Sequence, residues 1–291
     1  MKAFTYVTSL FLGLVFINAQ GIGQDTRSTS WKFSLGLDFA YLNSDLNLAS
    51  MSQQSYWEGQ DLGVVELEGN VIDTINTFTD HNRKAIAFCV AAGVNYQKDP
   101  ESKWKFGMQA LIGIVNKDYI VKNTLLDTTD LRVGPNIVAP IVGIRLNALY
   151  QFTSHWGLEL RPTIVYSWSK SDKITDNLYG KIDYFDESRT DKTNLVYFRS
   201  TIMANYSYKR LKISVGPGFY GLTDQHEYTI ERINPETGKT YLDIINTRLH
   251  ADSFVDGCIG LEWMIKDYLS FSVFGAFGKS IMIQSGLVYL F

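Results

Sequence analysis

The sequence has little of what several protein classes require. Its two cysteines, Cys89 and Cys258, lie too far apart for a zinc-ligand spacing or a disulfide framework, so we predict free thiols. Only 6 prolines and 20% charged residues, with 14% aromatics, argue against a disordered chain. The 27 Lys+Arg against 30 Asp+Glu include no basic cluster, which excludes a nucleic-acid partner. No cofactor or metal motif is present, and we expect neither group.

Long apolar runs are also missing. The longest beyond the N-terminus, 85–94 and 137–144, fall short of the roughly 20 residues that a membrane-spanning helix needs. Residues 1–19 combine a basic start, a short apolar core and a final Ala19, which predicts a cleavable secretory signal. We therefore expect a signal peptide over 1–19, a short periplasmic segment over 20–30 and one domain over 31–291.

What the sequence does contain is a period of two. In 31–41 the odd positions are large and apolar, and the even positions are small or charged, as in a strand with two different faces. No charged residue falls on the apolar face of any segment with this pattern. The pattern predicts an all-β chain of about ten strands, with 8 or 12 left open. The further segments are 85–96, 104–114, 138–150, 156–168, 194–208, 211–222, 252–265, 268–277 and 281–291.

Alternation alone does not separate a membrane barrel from a secreted soluble β-protein, in which the faces are exchanged. Two features favour the membrane. Aromatic residues such as Trp31, Trp104 and Trp168 gather at strand ends, as they do at the two surfaces of a bilayer. Long connections (42–84, 115–137, 169–193, 223–251) alternate with short ones (97–103, 151–155, 209–210, 266–267). This arrangement predicts a single transmembrane, antiparallel up-and-down β-barrel with both termini in the periplasm.

The end of the chain strengthens this prediction. The last strand, 281–291, finishes Gly-Leu-Val-Tyr-Leu-Phe. It resembles the last strand of bacterial outer-membrane β-barrel proteins, and the chain is similar more broadly to the porin-like barrels of Bacteroidota-type bacteria. The resemblance implies outer-membrane lipid as surroundings and the barrel-assembly machinery as a partner that binds the strand ending in Phe291. Pro140, Pro162 and Pro217 fall within strands, where we expect bulges.

A ten-stranded barrel lies near the size at which side chains fill the interior. Charges of both signs on the polar face predict an ion-paired plug, with a narrow conducting path as the alternative. In the hairpin 138–168 we expect Arg145 to lie near Arg161 and Glu159. The predicted lumen network comprises Asp38, Lys105, Arg145, Glu159, Arg161, Arg199, Asp256 and Glu262.

The predicted function is that of a porin-like or structural and surface-binding protein. An extracellular ligand or envelope protein would bind the outer loops, of which 42–84 is the longest and acidic, and 223–251 predicts a projecting hairpin. The alternative is an outer-membrane hydrolase of the protease or lipid-A acyl hydrolase type. Its only candidate residues are His226 with Asp224 or Glu227, where a carboxylate could orient a general base or hold a cation.

Overall fold

The computed structural model describes residues 31–99, 101–123, 131–171, 186–234, 236–251 and 254–291. The predicted signal peptide and the segment 20–30 lie outside these ranges. Within them no helix is both long and apolar enough to span a bilayer. The elements of the described chain are β1 Trp31–Trp57, β2 Gln60–Leu67, α1 Asn70–Phe78, β3 Thr79–Tyr96, β4 Trp104–Asn123, β5 Leu131–Gln151, β6 Trp156–Ser171, β7 Asp186–Tyr208, β8 Leu211–Ile233, β9 Thr240–Ala251, β10 Val255–Lys266, β11 Leu269–Phe277 and β12 Ser280–Leu290.

Ten of these strands form a closed antiparallel ring in the order β1, β3, β4, β5, β6, β7, β8, β10, β11 and β12. The seam joins the first and last strands, from Ser34 opposite Leu290 to Ser44 opposite Ser280. Closure removes free strand edges from the wall of the barrel. The up-and-down barrel and the ten predicted strands are therefore confirmed, and the other two strands lie outside this ring.

Those two strands extend the wall beyond the ring. Strand β1 pairs with β3 up to Leu46, and from there it pairs with β9 on one side and then β2 on the other. The side chain of Asn76 on α1 replaces the lost neighbour: it bonds the backbone N–H and C=O of Leu48, both at 2.9 Å. The segment 42–84, expected as a loop, is thus largely strand, whereas the hairpin expected in 223–251 is present.

The apolar faces point away from the barrel axis. Large apolar side chains around the ring, among them Phe39, Phe88, Ile164 and Phe198, are 42–49% exposed. We call this belt, from the Trp31 and Trp104 level to the Trp168 and Phe219 level, the apolar band. A continuous exposed belt of this kind is stable only against lipid, so the strands span a membrane and the soluble alternative is excluded.

The two ends of the barrel differ. At the short-turn end, β7 and β8 are joined by only two residues, and both ends of the described chain lie here, with Phe291 N–H bonded to Phe33 C=O at 2.9 Å. At the long-loop end the strands continue well past the apolar band. The bulges expected at the prolines are absent: no register shift occurs at Pro140, and Pro162 and Pro217 only interrupt pairing. A missing N–H removes a ladder bond without requiring an extra residue.

Candidate functional site

The lumen is densely packed beside β7, whereas inward side chains on other strands, such as Arg161 and Glu262, are partly exposed. Eight successive inward side chains of β7, from Asp191 to Asn205, are at most 9% exposed. They mix apolar and polar types, so the lumen is partly an apolar core and not only a polar interior. The eight residues are Asp191, Thr193, Leu195, Tyr197, Arg199, Thr201, Met203 and Asn205.

Two ion pairs cross the middle of the lumen. Arg145 Nη2 lies 2.7 Å from Asp38 Oδ2, and Arg145 Nη1 donates to Gln109 at 3.0 Å. Gln284 donates to the same Asp38 oxygen at 3.1 Å. The bonds therefore link β12, β1, β4 and β5 across the barrel. Arg145 binds Asp38 and not the neighbouring Glu159 that hairpin geometry suggested.

The second central pair is Arg199 with Asp256, at 2.7 Å and 3.2 Å. Arg199 Nε also donates to Tyr197 Oη at 2.5 Å. The rings of Tyr220 and Phe274 lie 5.4 Å and 5.9 Å from the guanidinium carbon. A guanidinium enclosed by a carboxylate and aromatic faces keeps favourable partners without water, which makes it an effective plug.

A third cluster lies near the short-turn end and centres on the buried Glu159. This carboxylate accepts from Arg161 at 2.6 Å, from Lys212 at 2.7 Å and from Asn205 at 2.9 Å. Glu262 is the outermost member, 3.6 Å from Lys212. Lys105, the remaining predicted lumen charge, forms no ion pair with a described residue.

The hydrolase candidates Asp224 and His226 lie together on the inward face of β8. Both are buried beyond the apolar band, where the outward neighbours Gln225 and Glu227 are polar. Arg83 on β3 binds Asp224, and its Nη2 lies 2.9 Å from His226 Nε2. We call Arg83, Lys117, Asp191, Asp224 and His226 the upper cluster. Glu227 is not part of it, because it points outward and pairs with Lys192 at 2.5 Å.

Electrostatic interactions within the upper cluster stabilise the charged forms of Asp224 and His226. Burial alone would raise the pKa of Asp224, but Arg83 and His226 outweigh it and hold the pKa well below its usual range. Burial would likewise lower the pKa of His226, yet Asp224 and Asp191 raise it, so the ring favours the protonated state. A protonated, enclosed imidazole is a poor general base.

The comparisons with known proteins give structural likenesses only. No family model matches the sequence, and no curated protein matches it. Similar solved structures include the outer membrane protease OmpT from Escherichia coli, with a TM-score of 0.46 and 10% identity over 92% of this chain and 99% of that chain. They also include the translocator domain of the autotransporter NalP from Neisseria meningitidis, with a TM-score of 0.35 and 8% identity over 98% and 97% of the two chains. The Ralstonia pickettii toluene transporter TbuX gives 0.28 and 11% identity over 91% and 90%.

These TM-scores are all below 0.5, so the assignment of the barrel fold depends on the strand pairing within this chain. The activities named are those of the other proteins. Within this barrel, sequence reasoning missed the partners of Asp224. Arg83, Lys117 and Asp191 lie in segments that were expected to be loops, where no face is defined. The sequence did contain a signal for these residues, because the two-residue alternation of inward and outward side chains continues past the apolar band. Asp191, Thr193 and Leu195 on β7 are an example.

Proposed function

We propose that this chain is a bacterial outer-membrane barrel with a closed lumen, which serves a structural or surface-binding role through its long-loop end. The observation that carries this proposal is the set of eight buried inward side chains on β7. An open channel needs lumen side chains in contact with water, whereas these are packed against protein. The closed lumen favours a surface role over conduction.

The location follows from the class of membrane protein. Closed antiparallel barrels with an apolar outer belt are typical of outer membranes. We propose that the short-turn end and both termini face the periplasm, and that the strand ending in Phe291 is bound by the barrel-assembly machinery. From the broader resemblance of the whole chain, we also propose membership in the porin-like barrels of Bacteroidota-type bacteria. The long-loop end then faces the outside.

Single cysteines test this orientation. The native Cys89 and Cys258 are buried, so background labelling is low. We expect a membrane-impermeant maleimide to label Thr237→Cys, in the exposed β8–β9 turn, on intact cells. The matched variant Glu101→Cys, in an exposed short turn, should react only after the outer membrane is permeabilised. The reverse pattern would overturn the orientation.

Conductance in planar bilayers tests the closed lumen. We expect the wild-type protein to give no channel steps above the lipid background, because Arg199 and its aromatic neighbours pack together inside the lumen. Removing two plug side chains in Tyr197→Ala/Arg199→Ala should produce measurable steps, provided that its heat-modifiable gel shift shows a folded barrel. Steady conductance by the wild-type protein would contradict a closed lumen.

A hydrolase built on His226, Asp224 and Glu227 is the less favoured proposal. Both His226 nitrogens lie near charged or hydroxyl partners, with Nδ1 3.1 Å from Tyr228 Oη. Glu227 lies on the opposite face of the strand. The pair of His226 and Asp224 is therefore better suited to stabilising the upper cluster than to activating a nucleophile against a substrate.

A further inference from the structure

Beyond the apolar band, the outward face of the wall carries a polar cleft that the plug does not use. Its volume is about 410 Å³. Five adjacent strands, β7, β8, β9, β1 and β2, together with Glu68 just after β2, contribute polar side chains in two rows. The residues of the outer cleft are Asn194, Gln225, Arg248, Ser50 and Glu68 in the row nearer the band, and Lys192, Glu227, Asn246, Ser52 and Glu66 in the row beyond it.

One irregularity in β1 completes these rows. The pairing with β9 runs from Leu48 opposite Leu249 directly to Ser50 opposite Arg248, so Ala49 is an extra residue. An extra residue reverses which face the following side chains occupy. Without it, Ser50 would point to the same side as the buried Leu48. The bulge instead places Ser50 and Ser52 on the outward face.

Most side chains of the outer cleft make no hydrogen bond or ion pair with another residue that the structure describes. Lys192 pairs with Glu227, and Asn194 accepts from Tyr166. Gln225, Asn246, Arg248, Glu66 and Glu68 make no side-chain hydrogen bond or ion pair with any residue that the structure describes. Amide, hydroxyl, guanidinium and carboxylate groups therefore stand side by side with donors and acceptors unused.

The position of the outer cleft specifies where its ligand comes from. Its nearer row begins at the aromatic rim of the apolar band, because Asn194 is opposite Trp168 and its amide oxygen accepts from Tyr166 Oη at 2.9 Å. Gln225 lies on the same outward side of β8 as the lipid-facing Phe219. A ligand here sits beside the barrel at headgroup level and not above the lumen.

We infer that the outer cleft binds the saccharide headgroup of a glycolipid in the adjacent membrane leaflet. Sugar hydroxyls both donate and accept, which matches mixed unpaired groups. The outward side chains of the outer cleft supply two cations and three carboxylates, a net charge of −1, which disfavours a purely anionic headgroup. Only Met51 and Leu67 add large apolar contacts, so an acyl or aromatic ligand lacks the usual apolar lining. The inference rests on the proposed outer-membrane orientation.

Binding by the purified full-length protein in detergent tests this inference independently of orientation in cells. The probe is a diglycosyl diacylglycerol, whose disaccharide headgroup is uncharged, and native mass spectra count the molecules bound during the titration. We expect Gln225→Ala/Arg248→Ala to weaken binding about tenfold, since two hydrogen-bonding side chains are lost. Lys84→Met is the matched control, because Lys84 is an exposed cation beyond the band on the distant strand β3.

Two further probes identify the source of the sugar. The oligosaccharide released from the same glycolipid should bind more weakly than the intact molecule, and a phospholipid without sugar should leave the titration unchanged. Equal binding of free oligosaccharide, or equal loss in Lys84→Met, would overturn the inference. If the glycolipid does not bind while cysteine labelling confirms the orientation, glycolipid binding by the outer cleft is refuted and the proposed orientation remains. If the labelling pattern is reversed, the proposed orientation is refuted.

Discussion

Replacing Arg83 with methionine is expected to destabilise the folded barrel by about 3–5 kcal/mol. The side chain is 1% exposed and Asp224 is fully buried, so the substitution removes the guanidinium that binds this carboxylate and leaves only His226 beside it, in a site that water does not reach. Methionine keeps much of the volume and helps to separate the loss of charge from the loss of packing. The free energy of unfolding is measured by urea titration in phospholipid bilayers, followed by tryptophan fluorescence.

Two controls define that result. Lys192→Met breaks the exposed pair with Glu227 and should cost at most about 1 kcal/mol. The double variant Arg83→Met/Asp224→Asn should recover a large part of the loss, because the uncompensated charge is removed. A loss in Arg83→Met no greater than that in Lys192→Met would show that the upper cluster does not stabilise the barrel.

Replacing Ile164 with arginine should cost about 2–4 kcal/mol, the usual penalty for a cation on the lipid face at mid-membrane. Ile164 is 49% exposed, and its neighbours in register, Ile144 and Phe198, face the same way. The penalty arises from lipid and not from protein packing. It is therefore expected in bilayers, as reduced folding yield and a lower urea midpoint.

Val64→Arg provides the comparison. Val64 is 53% exposed, slightly more than Ile164, but it lies on β2 beyond the apolar band. In water the same substitution should change stability by less than about 0.5 kcal/mol. Equal effects of the two arginines would mean that the exposed belt around Ile164 does not contact hydrocarbon.

The sequence was sufficient for the wall of the barrel because lipid imposes one rule on every strand. Side chains such as Phe39, Ile164 and Phe198 must be apolar, and each alternates with a residue that must not face lipid. This two-residue rule also sets the register, so ten strands and their faces were predicted. Pro162 and Pro217 show its strength: the pairing is interrupted beside them, yet the register is kept.

The interior was less predictable because packing across a lumen has no period. Asp38 meets Arg145 from the far side of β3 and β4, and no spacing along the chain indicates that contact. The bulge at Ala49 is equally invisible, since a small residue in a polar stretch carries no signal for an extra position. Sequence reasoning thus identified the lumen charges but not the partners of Asp38, Arg145 and Asp224, and it missed the outer cleft.

The seam between β1 and β12 has a consequence for how the protein is made. Of the strands that the structure describes, the two that close the ring are the first and the last in the sequence, so their pairing from Ser34 to Ser44 requires every strand between them to be made first. Contacts of such large sequence separation form slowly. A chain that lacks its last eleven residues would lack β12, so β1 and β11 would each have an unpaired edge. Unpaired edges of this kind promote aggregation before the barrel inserts into the membrane.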